Sequence, residues 1–201
     1  MTKRREDVPF ISILLTGINV VVFLMSLRSK DLLWGKGLLG VSEVLENGEY
    51  ERMLTSMFLH AEAEHLFNNM LILLFLGAML EKEIGHIRLF VVYMLSGLVG
   101  NALSMGMQLV SGDFHYSLGA SGGVFGLDGL LLAMAVFAGK RFPHVTPQKV
   151  AIMLLLSLYS GFRSSGVDNW AHVGGLLAGF LSGAVICFIL YRKDRRTISE
   201  Y

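Results

Sequence analysis

Ser117-Leu118-Gly119-Ala120-Ser121-Gly122-Gly123-Val124-Phe125-Gly126 sets a serine among glycines at the opening of an apolar segment that runs to about Gly139. A hydroxyl in water-poor surroundings is costly unless it packs, caps or reacts. Three readings compete on this stretch alone. Gly122 and Gly126 form a small-xxx-small pair of the kind that lets two membrane helices approach closely. Ser121 can instead cap a helix or bond to its backbone. In the third reading it is a nucleophile, and the glycines clear space for a substrate backbone. The rest of the chain has to choose among them.

Of the 201 residues 53% are hydrophobic and only 16% charged, whereas globular chains carry about a quarter charged residues. This is the balance of a membrane protein. A net charge of +1 argues against a nucleic-acid partner, which calls for a basic face. The single cysteine, Cys187, lies in an apolar run, so neither an internal disulfide nor a cysteine-based zinc site is available. Without long repeats, low-complexity tracts or linkers, one membrane-embedded domain over residues 1–201 is expected.

Hydropathy predicts an all-α, polytopic bundle of six spans, at about 10–27, 64–80, 87–110, 118–139, 150–162 and 170–191. The first follows Lys3, Arg4 and Arg5 like a signal peptide, but Met25-Ser26-Leu27-Arg28 lacks a small-x-small cleavage pattern, so it reads as a retained span. Residues 29–62 form the longest connection. Its first half, broken by Gly35, Gly37 and Gly40, reads as an interfacial segment anchored by Trp34. Its second half carries Glu43, Glu46, Glu49 and Glu51 and reads as solvated. Lys140, Arg141, Pro143, His144, Pro147 and Lys149 make a basic turn before the short fifth span. With the N-terminus inside, twelve Lys and Arg fall on inner segments and five on outer ones. That places both termini in the cytoplasm.

This topology starts every even-numbered span at the outer leaflet. His60, His65 and Asn69 open span 2, Ser121 opens span 4 and His172 opens span 6. The polar residues able to do chemistry therefore share one depth on three helices, and intramembrane ionisable groups are functional candidates by default. A serine hydroxyl is a poor nucleophile until a base takes its proton, and neutral histidine is the usual base. His172, followed by Gly174 and Gly175, suits close contact with span 4. His65 and Asn69, four apart, lie on one helical face. Both can donate to a developing oxyanion, as can the Ser121 N–H at a helix start. Each residue has a plainer role open to it. His172 can be an interfacial histidine, Asn69 a helix bridge, His60 a brace for the loop, and Asp168 the N-cap of span 6 rather than a triad member.

At these residues the chain resembles the rhomboid intramembrane serine proteases. Gly119-Ala120-Ser121-Gly122 resembles that family's GxSG nucleophile motif. Ala171-His172-Val173-Gly174-Gly175 with Gly179 is similar to its last span, and Phe58, His60, His65 and Asn69 to its second. Arg88 to Asn101, with Tyr93, Gly97 and Gly100, is similar to its third. The resemblance covers about residues 8–192. It implies a six-helix core that cleaves transmembrane substrates and uses no metal or cofactor. It also implies Ser121 as nucleophile, His172 as general base without a third acid, and an oxyanion site of His65, Asn69 and the Ser121 amide beside Gly119. The 29–62 connection would be a membrane-dipping first loop, and span 5 with residues 163–169 a mobile gate and cap.

The expected partners are the lipid bilayer and single-span membrane proteins whose helices carry small or destabilising residues near the outer surface. The expected location is a bacterial-type plasma membrane. The rival class is a non-catalytic protein of the same fold that binds membrane clients. Phe125, four after Ser121, is expected to wall the site by stacking under His172. Asp128 fits less well. It lies two turns, about 10 Å, beyond Ser121 with no basic residue at its depth, and a neutral structural role is expected for it, against the alternative of a hydrated channel.

Overall fold

A computed structural model of the chain describes residues 8–139, 145–163 and 166–196. The basic residues Lys3, Arg4 and Arg5, and the turn residues Lys140, Arg141, Pro143 and His144, lie outside them.

The first apolar run forms α1 (Phe10–Arg28). Pro9 precedes it and offers no side-chain cap, so the free amides of the first turn need partners from elsewhere. Glu81 supplies them. Its carboxylate accepts from Ile11 N (2.8 Å), Ser12 N (2.9 Å) and Ser12 Oγ (2.6 Å), and it pairs with His86. An anion at a helix N-terminus also meets the positive end of the helix dipole. Glu81 is therefore buried, 2% exposed.

The long connection folds into α2 (Lys30–Gly37), α3 (Val41–Leu45) and α4 (Arg52–Thr55), the last running into a 3-10 turn at Ser56–Phe58. Lys30 Nζ sits 4.0 Å over the ring of Trp34. The acidic half is not uniformly solvated. Glu49 binds Arg52 Nε (2.6 Å), and the rest of that guanidinium donates to Leu38 O (2.9 Å) and Gly35 O (2.7 Å). Arg52, 5% exposed, thereby satisfies two carbonyls at the end of α2 that no helix partner reaches. Tyr116 donates to Glu43 (2.5 Å) and holds that carboxyl below the usual range.

The second span is not one regular helix. α5 (Ala63–Ile72) passes through a π turn (Leu73–Gly77) into α6 (Ala78–Ile84). Gly85, at φ +87°, then turns the chain into α7 (His86–Ser111). α8 (Ser121–Phe137) is apolar on all sides and buried along nearly its whole length, as expected of a helix at the centre of a bundle. α9 (Pro147–Arg163) starts on proline, which loses no hydrogen bond at a first helical position. α10 (Asn169–Arg196) completes the bundle.

By length and composition Phe10–Arg28, Ala63–Ile84, His86–Ser111 and Asn169–Leu190 can cross a membrane, while Ser121–Phe137 and Pro147–Tyr159 are apolar but shorter. The fold is an all-helical membrane bundle. Its tightest crossing joins α8 to α10. A methyl placed on Gly175 would overlap Gly122 O, and one on Gly179 would overlap Gly126 O. On the other side of α10, a methyl on Gly100 of α7 would come 2.5 Å from Ala171 O. Small residues let these backbones touch, which drives association where no hydrophobic effect separates helix from lipid.

Candidate active site

The sequence predicts span 4 from Leu118, but the helix begins at Ser121. Ser117 is held in an isolated antiparallel bridge, its N and O bonded to Leu39 O (2.9 Å) and N (3.0 Å). Gly119 follows at φ +129°, which side chains other than glycine rarely adopt. Its N–H donates to Ser56 O (2.9 Å), so that proton is not free for a substrate. What Gly119 provides is room. A Cβ there would lie 2.8 Å from His65 Cε1, 3.0 Å from His65 Nε2 and 3.7 Å from Ser121 Oγ. The bare glycine lets the imidazole and the hydroxyl flank the same space.

Ser121 is half-buried at the first position of α8. Its N–H is among the amides that a helix start leaves without an internal partner, and no described carbonyl accepts from it. One turn along the same face, Phe125 stacks on His172, with ring centroids 4.2 Å apart and planes at 13°. His172 is 8% exposed, and its Nδ1 is buried without a hydrogen-bond partner among the described residues. No hydrogen bond joins Ser121 Oγ to His172.

Asp168 does not complete a triad. Its Oδ1 accepts from Ala171 N (3.0 Å) as an N-cap of α10, and its Oδ2 accepts from Ser104 Oγ (2.5 Å) and Ser117 Oγ (2.5 Å). The cap was legible from spacing. The two serines, 64 and 51 residues away in sequence, were not.

From α5, Asn69 Nδ2 donates to His60 Nε2 (3.2 Å), which places the proton of His60 on Nδ1. His60 also meets His65 edge-on, ring centroids 5.0 Å apart. It is 1% exposed and braces the other two from the loop. Asn101 of α7 steadies that loop from below through Met53 O (2.8 Å) and Ser56 Oγ (3.0 Å). Asp128 is half-buried and bonds no described serine or asparagine.

Burial, reinforced by His65 and opposed by the Phe58 carbonyl, pushes His60 down to about 4. An unfolded histidine titrates near 6.5. Between those values the unfolded chain binds a proton that the folded protein refuses. The stability contributed by His60 is thus complete above about pH 6.5 and is lost as pH falls toward 4, in all roughly 3 kcal/mol. Melting temperature in detergent should decline over that window, and His60→Gln should flatten the decline. A parallel decline in the variant would show that other groups carry it.

A family profile described as the Rhomboid domain matches residues 47–189. The chain belongs to the rhomboid family. The Bacillus subtilis protein YdcA, provisionally named a rhomboid protease, is 32% identical over 190 residues, covering 94% of this chain and 92% of its own. RHOMBOID-like protein 4 of Arabidopsis thaliana is 38% identical over 151 residues, and the rhomboid protease GluP of Bacillus subtilis is 32% identical over 145. Those two alignments cover 75% and 72% of this rhomboid chain but only 37% and 28% of the relatives, so the chain spans about a third of their length. It is an integral membrane protein of this family.

Phe125 gives the first test of the site. Its ring stacks on His172, and a stacked aromatic pair contributes about 1 kcal/mol beyond its area. Phe125→Leu should lower the rate of any His172-dependent reaction roughly ten-fold and shift melting only slightly. An unchanged rate would mean that His172 is positioned by its helix alone.

Proposed function

We propose that this rhomboid protein is an intramembrane serine endopeptidase that cleaves membrane-anchored substrates through a Ser121–His172 dyad. The observation that carries the reading is the stack of His172 on Phe125, one turn from Ser121, across the close crossing of α8 and α10. It gives the imidazole a fixed plane against a side chain one helical turn from Ser121. The rhomboid protease names of the Bacillus relatives support proteolysis.

In this reading Ser121 Oγ attacks the scissile carbonyl while His172 takes its proton at Nε2. The Ser121 N–H, Asn69 and His65 donate to the resulting oxyanion, where preorganised donors contribute most to catalysis. His172 then protonates the leaving amine, and the acyl group stays on Ser121 as an ester until water hydrolyses it. No metal or cofactor takes part. The domain extends over residues 1–201 with six spans, both termini cytoplasmic and the site opening outward. Residues 150–162 and the segment 163–169 form the gate and cap, and Ser164 and Ser165 of that segment lie outside the described residues. Substrates are single-span proteins, because a lone helix with helix-destabilising residues near the outer surface can unwind into a hydrated site. Asp128 is neutral and structural.

The test reconstitutes the full chain in liposomes with a single-span reporter carrying glycines near its outer end, beside the same reporter with leucines there. Cleavage of the first, at a bond near the outer surface by mass spectrometry, and poor cleavage of the second are expected. Reporter binding with neither cleavage nor reaction with a serine-directed fluorophosphonate would favour the client-binding alternative.

A further inference from the structure

Resting on the protease reading, we propose that Asp168 is a positioning residue that locks the segment leading into Ser121 to the helix that carries His172. An N-cap needs one oxygen, and Oδ1 fills that role on Ala171 N (3.0 Å). The second oxygen of a simple cap would face solvent. Here Oδ2 accepts two hydroxyls from two other parts of the chain, Ser117 Oγ and Ser104 Oγ, each at 2.5 Å. Hydroxyl-to-carboxyl bonds of this length are strong, and three donors from three parts of the chain converge on this one group.

The consequence lies in what each serine is attached to. Ser117 precedes Ser121 by four residues, is buried, and is bridged on both backbone sides to Leu39. Its hydroxyl joins this segment to the start of α10. Ser104 sits on α7, where Gln108 Nε2 donates to it (3.2 Å) and Gln108 Oε1 accepts from His115 N (3.0 Å), within the same 112–120 connection. His172 begins one turn after Asp168, with its own N–H bonded to Asp168 O (3.3 Å). One carboxylate thus fixes the nucleophile's approach segment against the base's helix, with α7 as the common anchor. It touches neither Ser121 nor His172.

The test uses the purified full chain, with reporter kinetics, fluorophosphonate labelling rate and melting temperature read together. Ser117→Ala should lower kcat and labelling about ten-fold with KM within about two-fold, and Asp168→Ala about thirty-fold, since sub-ångström misplacement of reacting groups is felt at this scale. The double variant should be no slower than Asp168→Ala, because both remove one tie. Asp168→Asn should recover to within about three-fold of wild type. Its oxygen can keep the cap while its amide donates to the serine hydroxyls. Where Asp168→Ala melts too low to assay, Ser117→Ala and Ser104→Ala carry the comparison. An active wild type in which Ser117→Ala changes neither kcat nor labelling, or in which the two losses multiply, overturns the positioning role alone. A folded wild type that neither cleaves nor labels overturns the protease reading and this inference with it.

Discussion

Ser121→Ala is expected to lower reporter cleavage by about 10⁵-fold and to leave the melting temperature nearly unchanged. The two halves of that expectation have separate causes. The hydroxyl makes no hydrogen bond to any described residue, and Ser121 is half-buried at the first helical position of α8, so alanine leaves no orphaned partner and suits the helix. Chemistry has no such substitute. In the proposed mechanism no acyl-enzyme can form without Oγ, and only the proposed oxyanion donors and substrate positioning would remain, which together preserve a small residue of catalysis. His172→Ala should cost about as much, and the double variant no more than either, because nucleophile and base act as a unit. Cleavage assays at saturating reporter, with melting curves on the same samples, check this. Additive losses, or a Ser121→Ala protein that keeps its rate, would remove the dyad.

Gly179→Ala is expected to destabilise the bundle more than any other single methyl addition, by about 3 kcal/mol or more. A Cβ there would overlap Gly126 O and lie 2.6 Å from both Gly126 C and Gly126 Cα. Those atoms belong to a helix backbone that cannot rotate aside, so α8 and α10 must separate and lose their packing. Gly106→Ala on α7 is the control. Nothing lies within 4 Å of a Cβ at that position, and replacing glycine inside a helix gains up to about 1 kcal/mol. Melting in detergent should therefore fall sharply for the first and hold or rise for the second. Since the same crossing carries Phe125 and His172, labelling of Gly179→Ala should fall faster than its folded fraction. Equal melting of the two variants would deny that the glycine contact holds the bundle.

The residues whose roles were legible in the sequence are those governed by local helix geometry. Phe125 follows Ser121 by one turn, and the ring stack with His172 follows from that spacing once two helices meet. Asp168 lies at capping distance from Ala171, and it caps. The helix positions emerge from hydropathy because each apolar run reports its own burial. What stayed hidden depends on partners distant in the chain. The start of span 4 is three residues later than apolarity suggests, because Ser117 is drawn into a bridge with Leu39, and no pattern near Ser117 records that pairing. Nothing in the residue type of Arg52 or Glu81 marks either as buried. Each is buried because backbone groups at a helix end needed a partner, carbonyls for Arg52 and amides for Glu81. The π turn at Leu73–Gly77 leaves no compositional trace. Gly119 matched a motif, and its use here is conformational, in its φ and in the space it leaves beside His65.

The most direct test of the account is to treat the folded full chain with a fluorophosphonate and map the modified peptide by mass spectrometry, in wild type and in His172→Ala. A fluorophosphonate reacts with a serine only when a base activates it. The account predicts one adduct, on Ser121, lost when His172 is replaced. A folded wild type with no adduct on Ser121, or an adduct there that persists without His172, would contradict it.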